Sequence, residues 1–132
     1  MASRYQRVIV KKIKPAFRDP RGAIFDLVEA PVQHVGLITS KKGSARGSHY
    51  HKKSIQYTYI LQGKVKLLIR DTRYKNAPIQ KFIMTKDYCA IIPPHIIHTY
   101  QALEDSVFID CTTASRSNNG YEKDTVRVDS IS

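Results

Sequence analysis

Tryptophan is absent, cysteine and methionine occur only twice each, and no apolar run approaches the roughly 18 residues that a membrane-spanning helix requires. The missing run excludes a helical membrane span. Two cysteines are too few for a disulfide-stapled scaffold. Cys89 and Cys111 both stand in apolar stretches, as buried reduced thiols of a cytoplasmic protein do. The polar start Met1-Ala2-Ser3-Arg4 lacks the apolar centre of a secretory signal. Acidic residues are scarce too, with 11 Asp and Glu against 22 Lys and Arg, for a net charge of +11. That excess favours a polyanionic partner, whether nucleic acid, an anionic membrane surface or a small phosphorylated ligand such as a nucleotide sugar. The basic residues are spread in alternating positions (Lys64, Lys66, Arg70) instead of a compact run, as on the solvent face of strands. With no helix-turn-helix pattern and no ribonucleoprotein-type aromatic signature, nucleic acid is the less favoured partner and a small phosphorylated one is preferred.

What is present is a domain-sized chain of 132 residues, without repeats or low-complexity segments, read as one domain over 1–132 with a polar tail from about 113. Short runs rich in Val, Ile, Tyr, Phe and Thr alternate with turn residues, the pattern of an all-β sandwich or barrel. Strands are expected at about 7–13, 24–29, 35–39, 54–61, 64–71, 80–84, 88–92, 98–102 and 107–112. Gln62-Gly63 reads as the turn of a hairpin, with Val65, Leu67 and Ile69 on one face of its second strand. The tail, broken at Ser117-Asn118-Asn119-Gly120, either closes a sheet edge or lies on the surface.

Five histidines are present, and three stand in an informative arrangement. His49 and His51 are one residue apart after a Gly-rich loop, and His98 follows Pro93-Pro94. In an extended strand, residues two apart share a face, so His49 and His51 can both point into a barrel, with His98 joining them from a facing strand. Imidazoles so gathered suit either a metal or a proton transfer. A helical reading of His95-Ile96-Ile97-His98, placing two histidines one turn apart, is disfavoured by its β-branched content. His34 and His95 read as structural.

The first motif, Gly43, His49, His51, Gln56 and Gly63, resembles that of the cupin family; the second is matched less fully by Asp87, Pro93, His95 and His98. The likeness spans about 22–112 and implies a cupin-type jelly-roll β-barrel, often dimeric, with its site in the barrel mouth. Gln56 stands where metal-binding cupins carry a Glu ligand. A narrower resemblance is to the cupins that act on dTDP-linked 4-keto-6-deoxy sugars. Asp19-Pro20-Arg21-Gly22 with Phe25, Arg46-Gly47-Ser48-His49-Tyr50 and Ile92-Pro93-Pro94-His95-Ile96-Ile97-His98 are similar to segments of the 3,5-epimerases. Arg46 to Lys52 with Gln56 looks still more like the 3,4-ketoisomerases.

That resemblance implies an isomerase or epimerase of a nucleotide-linked keto sugar, in deoxysugar or polysaccharide biosynthesis, needing no cofactor. A proton beside a ketone is removed by a base held against it while the enolate oxygen is stabilised. His49 is the expected base, with His51 or His98 returning the proton. Tyr57 is the expected donor to the oxygen, with Tyr50 and Tyr59 as other candidates. Gln56 and Tyr59 are expected substrate contacts, and Arg21 and Arg46 pyrophosphate contacts. Two alternatives stand beside this reading. One is a metal-dependent cupin, a dioxygenase or small-molecule isomerase, in which His49, His51, His98 and Gln56 hold Zn²⁺, Fe²⁺, Ni²⁺ or Mn²⁺. The other is a non-catalytic sugar- or nucleotide-binding cupin.

Overall fold

Short strands apolar on one face bury that face by stacking two sheets. The computed structural model, which describes residues 7–115 and 117–131, contains β1 (Ile9–Lys12), β2 (Phe17–Asp19), β3 (Gly22–Ile24), β4 (His34–Ser40), β5 (Ala45–His51), β6 (Gln56–Gln62), β7 (Lys64–Asp71), β8 (Gln80–Thr85), β9 (Tyr88–Ile92), β10 (Ile96–Ala102), β11 (Ser106–Thr112), a short helix α1 (Gly120–Asp124) and β12 (Thr125–Arg127). One antiparallel sheet has the order β1-β9-β6-β11-β4 and the other β12-β5-β10-β7-β8; β2 and β3 form a separate hairpin. From β4 to β12 the chain changes sheet at every step except β7 to β8. This is jelly-roll winding, as the resemblance to cupins implies.

Three local expectations need correction. The Gln62-Gly63 turn does not make a hairpin, because β6 pairs with β9 and β11 while β7 pairs with β10 and β8. Gly63 has φ +97°, and a Cβ there would lie 2.5 Å from the Asp105 carbonyl oxygen, so the chain passes between sheets through a space that only glycine fits. No strand forms over 25–29; Phe25 and Leu27 instead border a cleft on the outer face of the first sheet with Tyr57, Tyr59 and Ile109. The missed hairpin β2–β3 turns at Pro20-Arg21. Of the two readings of the tail, the structure shows edge closure: β12 pairs with β5 through Thr125↔His51 and Arg127↔His49.

The core gathers Ile60, Val65, Leu67, Ile69, Met84, Ile92, Ile96, Tyr100 and Phe108, each aliphatic side chain contributing about 1.5–3 kcal/mol by leaving water. Tyr100 and Phe108, with ring centroids 5.4 Å apart, end this core and begin the wall of the cavity beyond it. Cys89 and Cys111 are buried and unpaired, and burial pushes the Cys89 thiol up to about 11, which keeps it protonated and unreactive. Among the described residues no helix is long and apolar enough to cross a membrane.

Candidate active site

The histidines are brought together by a break in strand register. Along β5 and β10, His49 pairs with His98 but Gly47 pairs with Thr99, leaving Ser48 as the extra residue of a β-bulge. Ser48 has φ 62° and Gly47 φ 101°, and a Cβ on Gly47 would meet the His98 carbonyl oxygen at 2.6 Å. The bulge ends before His49, so His49 and His51 share the inner face while Tyr50 turns outward toward His95. The ring centroids lie 4.6 Å apart for His49 and His98, 5.0 Å for His49 and His51, and 5.4 Å for His51 and His98. One ring nitrogen from each falls within 4.8 Å of the others.

A cavity of about 520 Å³ opens over this cluster, between β4, β6 and β11 on one side and β5, β10 and β12 on the other. His49 and His98 face it, with Gln56, Tyr100, Asp110, His34, Arg46 and, from the tail, Tyr121 and Arg127. His51 is 2% exposed and lies behind this lining. Arg46 is held toward β4 by donating Nε to Ser40 Oγ (2.8 Å) and Nη2 to the Thr39 carbonyl (2.9 Å). Arg127 forms a two-pronged ion pair with Glu122 at 2.9 and 3.0 Å.

Hydrogen bonds fix the ring nitrogens. His98 Nδ1 lies 3.0 Å from the Ile96 carbonyl and must donate to it, so Nε2 carries the lone pair; that buried nitrogen has no partner among the described residues. His51 Nε2 lies 3.0 Å from Gln56 Oε1, and its Nδ1 lies 3.3 Å from Thr125 Oγ1 and 3.7 Å from an Asp124 oxygen. Burial pulls His98 down to about 3, with the neighbouring imidazoles acting in the same direction. His49 falls to about 4, chiefly by burial and then by His51 and Arg127. His51 is also lowered by burial, against the opposing pull of Gln56 and Asp124. All three imidazoles are therefore neutral near pH 7.

Three expected site residues are not brought to the cavity. Tyr57 and Tyr59 alternate with Gln56 and Thr58 on β6 and so face out of the sandwich. Tyr59 is buried there and donates to Asp87 at 2.5 Å, and burial with that carboxylate pushes its phenol up to about 12. Arg21 stands at the tip of the β2–β3 hairpin with its side chain 88% exposed, bonded to Asp19. Conversely, His34, Asp110, Tyr121 and Arg127 line the cavity although nothing in the motifs marks them. His34 shares the inward parity of Gly36 and Ile38 on β4, and its ring lies against Gly36. Parity was a usable signal for it; for Tyr121 and Arg127, which depend on how the tail folds back, there was none.

The profile of the polysaccharide biosynthesis C-terminal domain matches residues 17–126. The chain belongs to that family. Solved structures agree with this family's jelly roll. The dTDP-4-dehydrorhamnose 3,5-epimerase of Sulfolobus tokodaii is 22% identical with a TM-score of 0.73, the match covering 92% of this chain and 76% of that one. A sugar 3,4-ketoisomerase of Thermoanaerobacterium thermosaccharolyticum, in complex with TDP, is 20% identical with a TM-score of 0.74, covering 92% and 88%. A 3,4-ketoisomerase of Helicobacter canadensis is 14% identical with a TM-score of 0.76, covering 94% and 92%. At these identities the likeness is one of fold. No curated protein matches the sequence.

Proposed function

We propose that this polysaccharide-biosynthesis domain protein is an isomerase or epimerase that moves a proton at a carbon beside the ketone of a nucleotide-linked 4-keto-6-deoxy sugar. The observation that carries the reading is a neutral His49 facing a 520 Å³ cavity whose lining also holds Arg46 and Arg127. A neutral imidazole keeps its lone pair for a C–H, and a diphosphate held by the arginines adds negative charge that raises its affinity for the proton. The relatives that act on such sugars share the fold. Tyr121, whose ring centroid is 6.3 Å from that of His49, takes the oxygen-stabilising role expected of Tyr57. The bare Nε2 of His98 accepts a hydrogen bond from a ligand hydroxyl. No cofactor enters this reaction.

The test is solvent exchange. Incubated with dTDP-4-keto-6-deoxyglucose in D₂O, the protein should wash deuterium into the sugar beside the ketone. The His49→Ala variant should not, while still showing a thermal shift with dTDP. Failure of dTDP, UDP and GDP alike to raise the melting temperature, with no exchange, would overturn the proposal; a shift without exchange would leave only a binding module.

One observation favours a second reading, a divalent metal on the three histidines: His98 Nε2 is buried without a partner among the described residues and converges with its neighbours. Stoichiometric Zn, Fe, Ni or Mn after purification without chelator, with exchange lost on chelation, would decide for it. We also read the protein as a cytoplasmic homodimer, supported by reduced buried thiols and by exposed Val35 and Leu37 on the outer face of β4.

A further inference from the structure

In the cavity wall Gln56, Tyr100 and Asp110, with Thr58 behind them, form a hydrogen-bonded chain with one consistent direction. Asp110 Oδ1 accepts from Gln56 Nε2 at 3.0 Å and from Thr58 Oγ1 at 2.7 Å. Because the Thr58 hydroxyl gives its only proton to Asp110, the 2.6 Å contact between Thr58 and Tyr100 is donated by the tyrosine. The second Gln56 N–H points at Thr58 Oγ1, 3.3 Å away. With both amide protons so used, Gln56 can present only its carbonyl oxygen to His51 Nε2, 3.0 Å away. An acceptor there needs a proton on Nε2.

The other ring nitrogen of His51 meets no donor among the described residues. Thr125 Oγ1 donates to the Tyr121 carbonyl at 2.6 Å, so it meets His51 Nδ1 at 3.3 Å as an acceptor, and the Asp124 oxygen at 3.7 Å is an acceptor as well. Left to these neighbours alone, a neutral His51 would place its single proton on Nδ1. Gln56 and Asp110 supply the competing demand from the opposite side, at shorter range.

We propose that Asp110 is a positioning residue that, through the orientation of the Gln56 amide, holds His51 as its Nε2–H tautomer. The carboxylate accepts from both Gln56 and Thr58 and can donate to neither, so it sets the direction of every bond up to His51. His51 then offers a donor, not a lone pair, on its Gln56 side. It packs against His49 as a fixed neutral ring, 5.0 Å between centroids. The consequence for turnover, the steadying of His49, rests on the proton-transfer reading above; the tautomer itself does not.

Ring ¹⁵N NMR of histidine-labelled protein reports the tautomer directly. In the unsubstituted protein His51 should show a protonated Nε2 and a bare Nδ1. In Asp110→Asn, whose amide can donate to Gln56 Oε1 and turn it around, the proton should move to Nδ1 or divide between the two. Gln56→Ala should give the same shift without touching Asp110, and circular dichroism should show both variants folded. With a keto-sugar nucleotide, kcat should fall roughly ten- to a hundredfold while KM stays within about threefold. If folded Asp110→Asn keeps His51 protonated at Nε2, the role of Asp110 is overturned, whether or not the protein turns over a sugar. If the tautomer moves but unsubstituted protein neither binds nor exchanges any sugar nucleotide, the function fails and the positioning role stands.

Discussion

At the scale of single residues the site is defined by what burial does to imidazole. His98 is fully enclosed, and its pKa falls from the ordinary 6.5 to about 3. Between those values the unfolded chain binds a proton that the folded one refuses. Stability is therefore level with respect to this group above pH 6.5 and falls as the pH drops from 6.5 toward 3, by up to about 1.4 kcal/mol per pH unit for one proton. Urea titrations at pH 4, 5, 6 and 7 should show that slope, and it should flatten by about one proton in His98→Gln; an unchanged slope would mean that His98 does not stay neutral in the fold. His49 governs rate. Its pKa near 4 predicts that kcat/KM holds down to about pH 5 and falls below it as the base becomes protonated. His49→Asn should lower kcat by roughly 100-fold or more while the thermal shift with dTDP persists; turnover within tenfold of the unsubstituted protein would remove His49 as the base.

At the scale of elements, the bulge in β5 does what strand periodicity alone does not. Gly47 combines φ +101° with the His98 carbonyl 2.6 Å from where a Cβ would sit. Gly47→Ala should therefore cost about 1–3 kcal/mol in chemical denaturation and displace His49, lowering turnover as well. Gly43 has φ +89° but open space around its Cβ position, so Gly43→Ala should cost less and spare turnover. Equal losses in the two variants would show that crowding at the bulge is not what distinguishes Gly47. Alternation and turn residues, which are local signals, made an all-β sandwich or barrel legible, the resemblance to cupins added the jelly roll, and the histidine trio was legible because its spacing matches strand parity. Tyr57 was assigned to the site although it lies one residue from Gln56 and therefore on the opposite face. Tyr121 and Arg127 were out of reach for another reason: α1 and β12 reach the cavity only because β12 finds the open edge of β5, a pairing across more than 70 residues that no local pattern encodes. Asp110 was hidden because its importance is a matter of whose protons it accepts.

For the whole molecule, charge and apolar surface act against each other. A net charge of +11 makes two copies repel, yet the outer face of the first sheet carries two apolar rows, Val35-Cys111-Tyr57 and Leu37-Ile109-Tyr59 across β4, β11 and β6. Val35 is 64% and Leu37 68% exposed. Tyr59 and Cys111 are already covered within the chain, so self-association through that face would bury chiefly Val35 and Leu37, while salt screens the repulsion between the two positive chains over a Debye length of about 10 Å at 0.1 M. Raising the ionic strength should therefore strengthen a dimer while weakening the hold of Arg46 and Arg127 on a nucleotide diphosphate. Light scattering should give about twice the 15.1 kDa chain mass for the unsubstituted protein, more completely at 0.5 M than at 0.05 M NaCl. Val35→Glu with Leu37→Glu should give a single chain mass with the thermal shift on dTDP preserved. A mass of 15.1 kDa at every salt and protein concentration would overturn the homodimer, and a dimer that survives both substitutions would place its contact elsewhere than on this sheet.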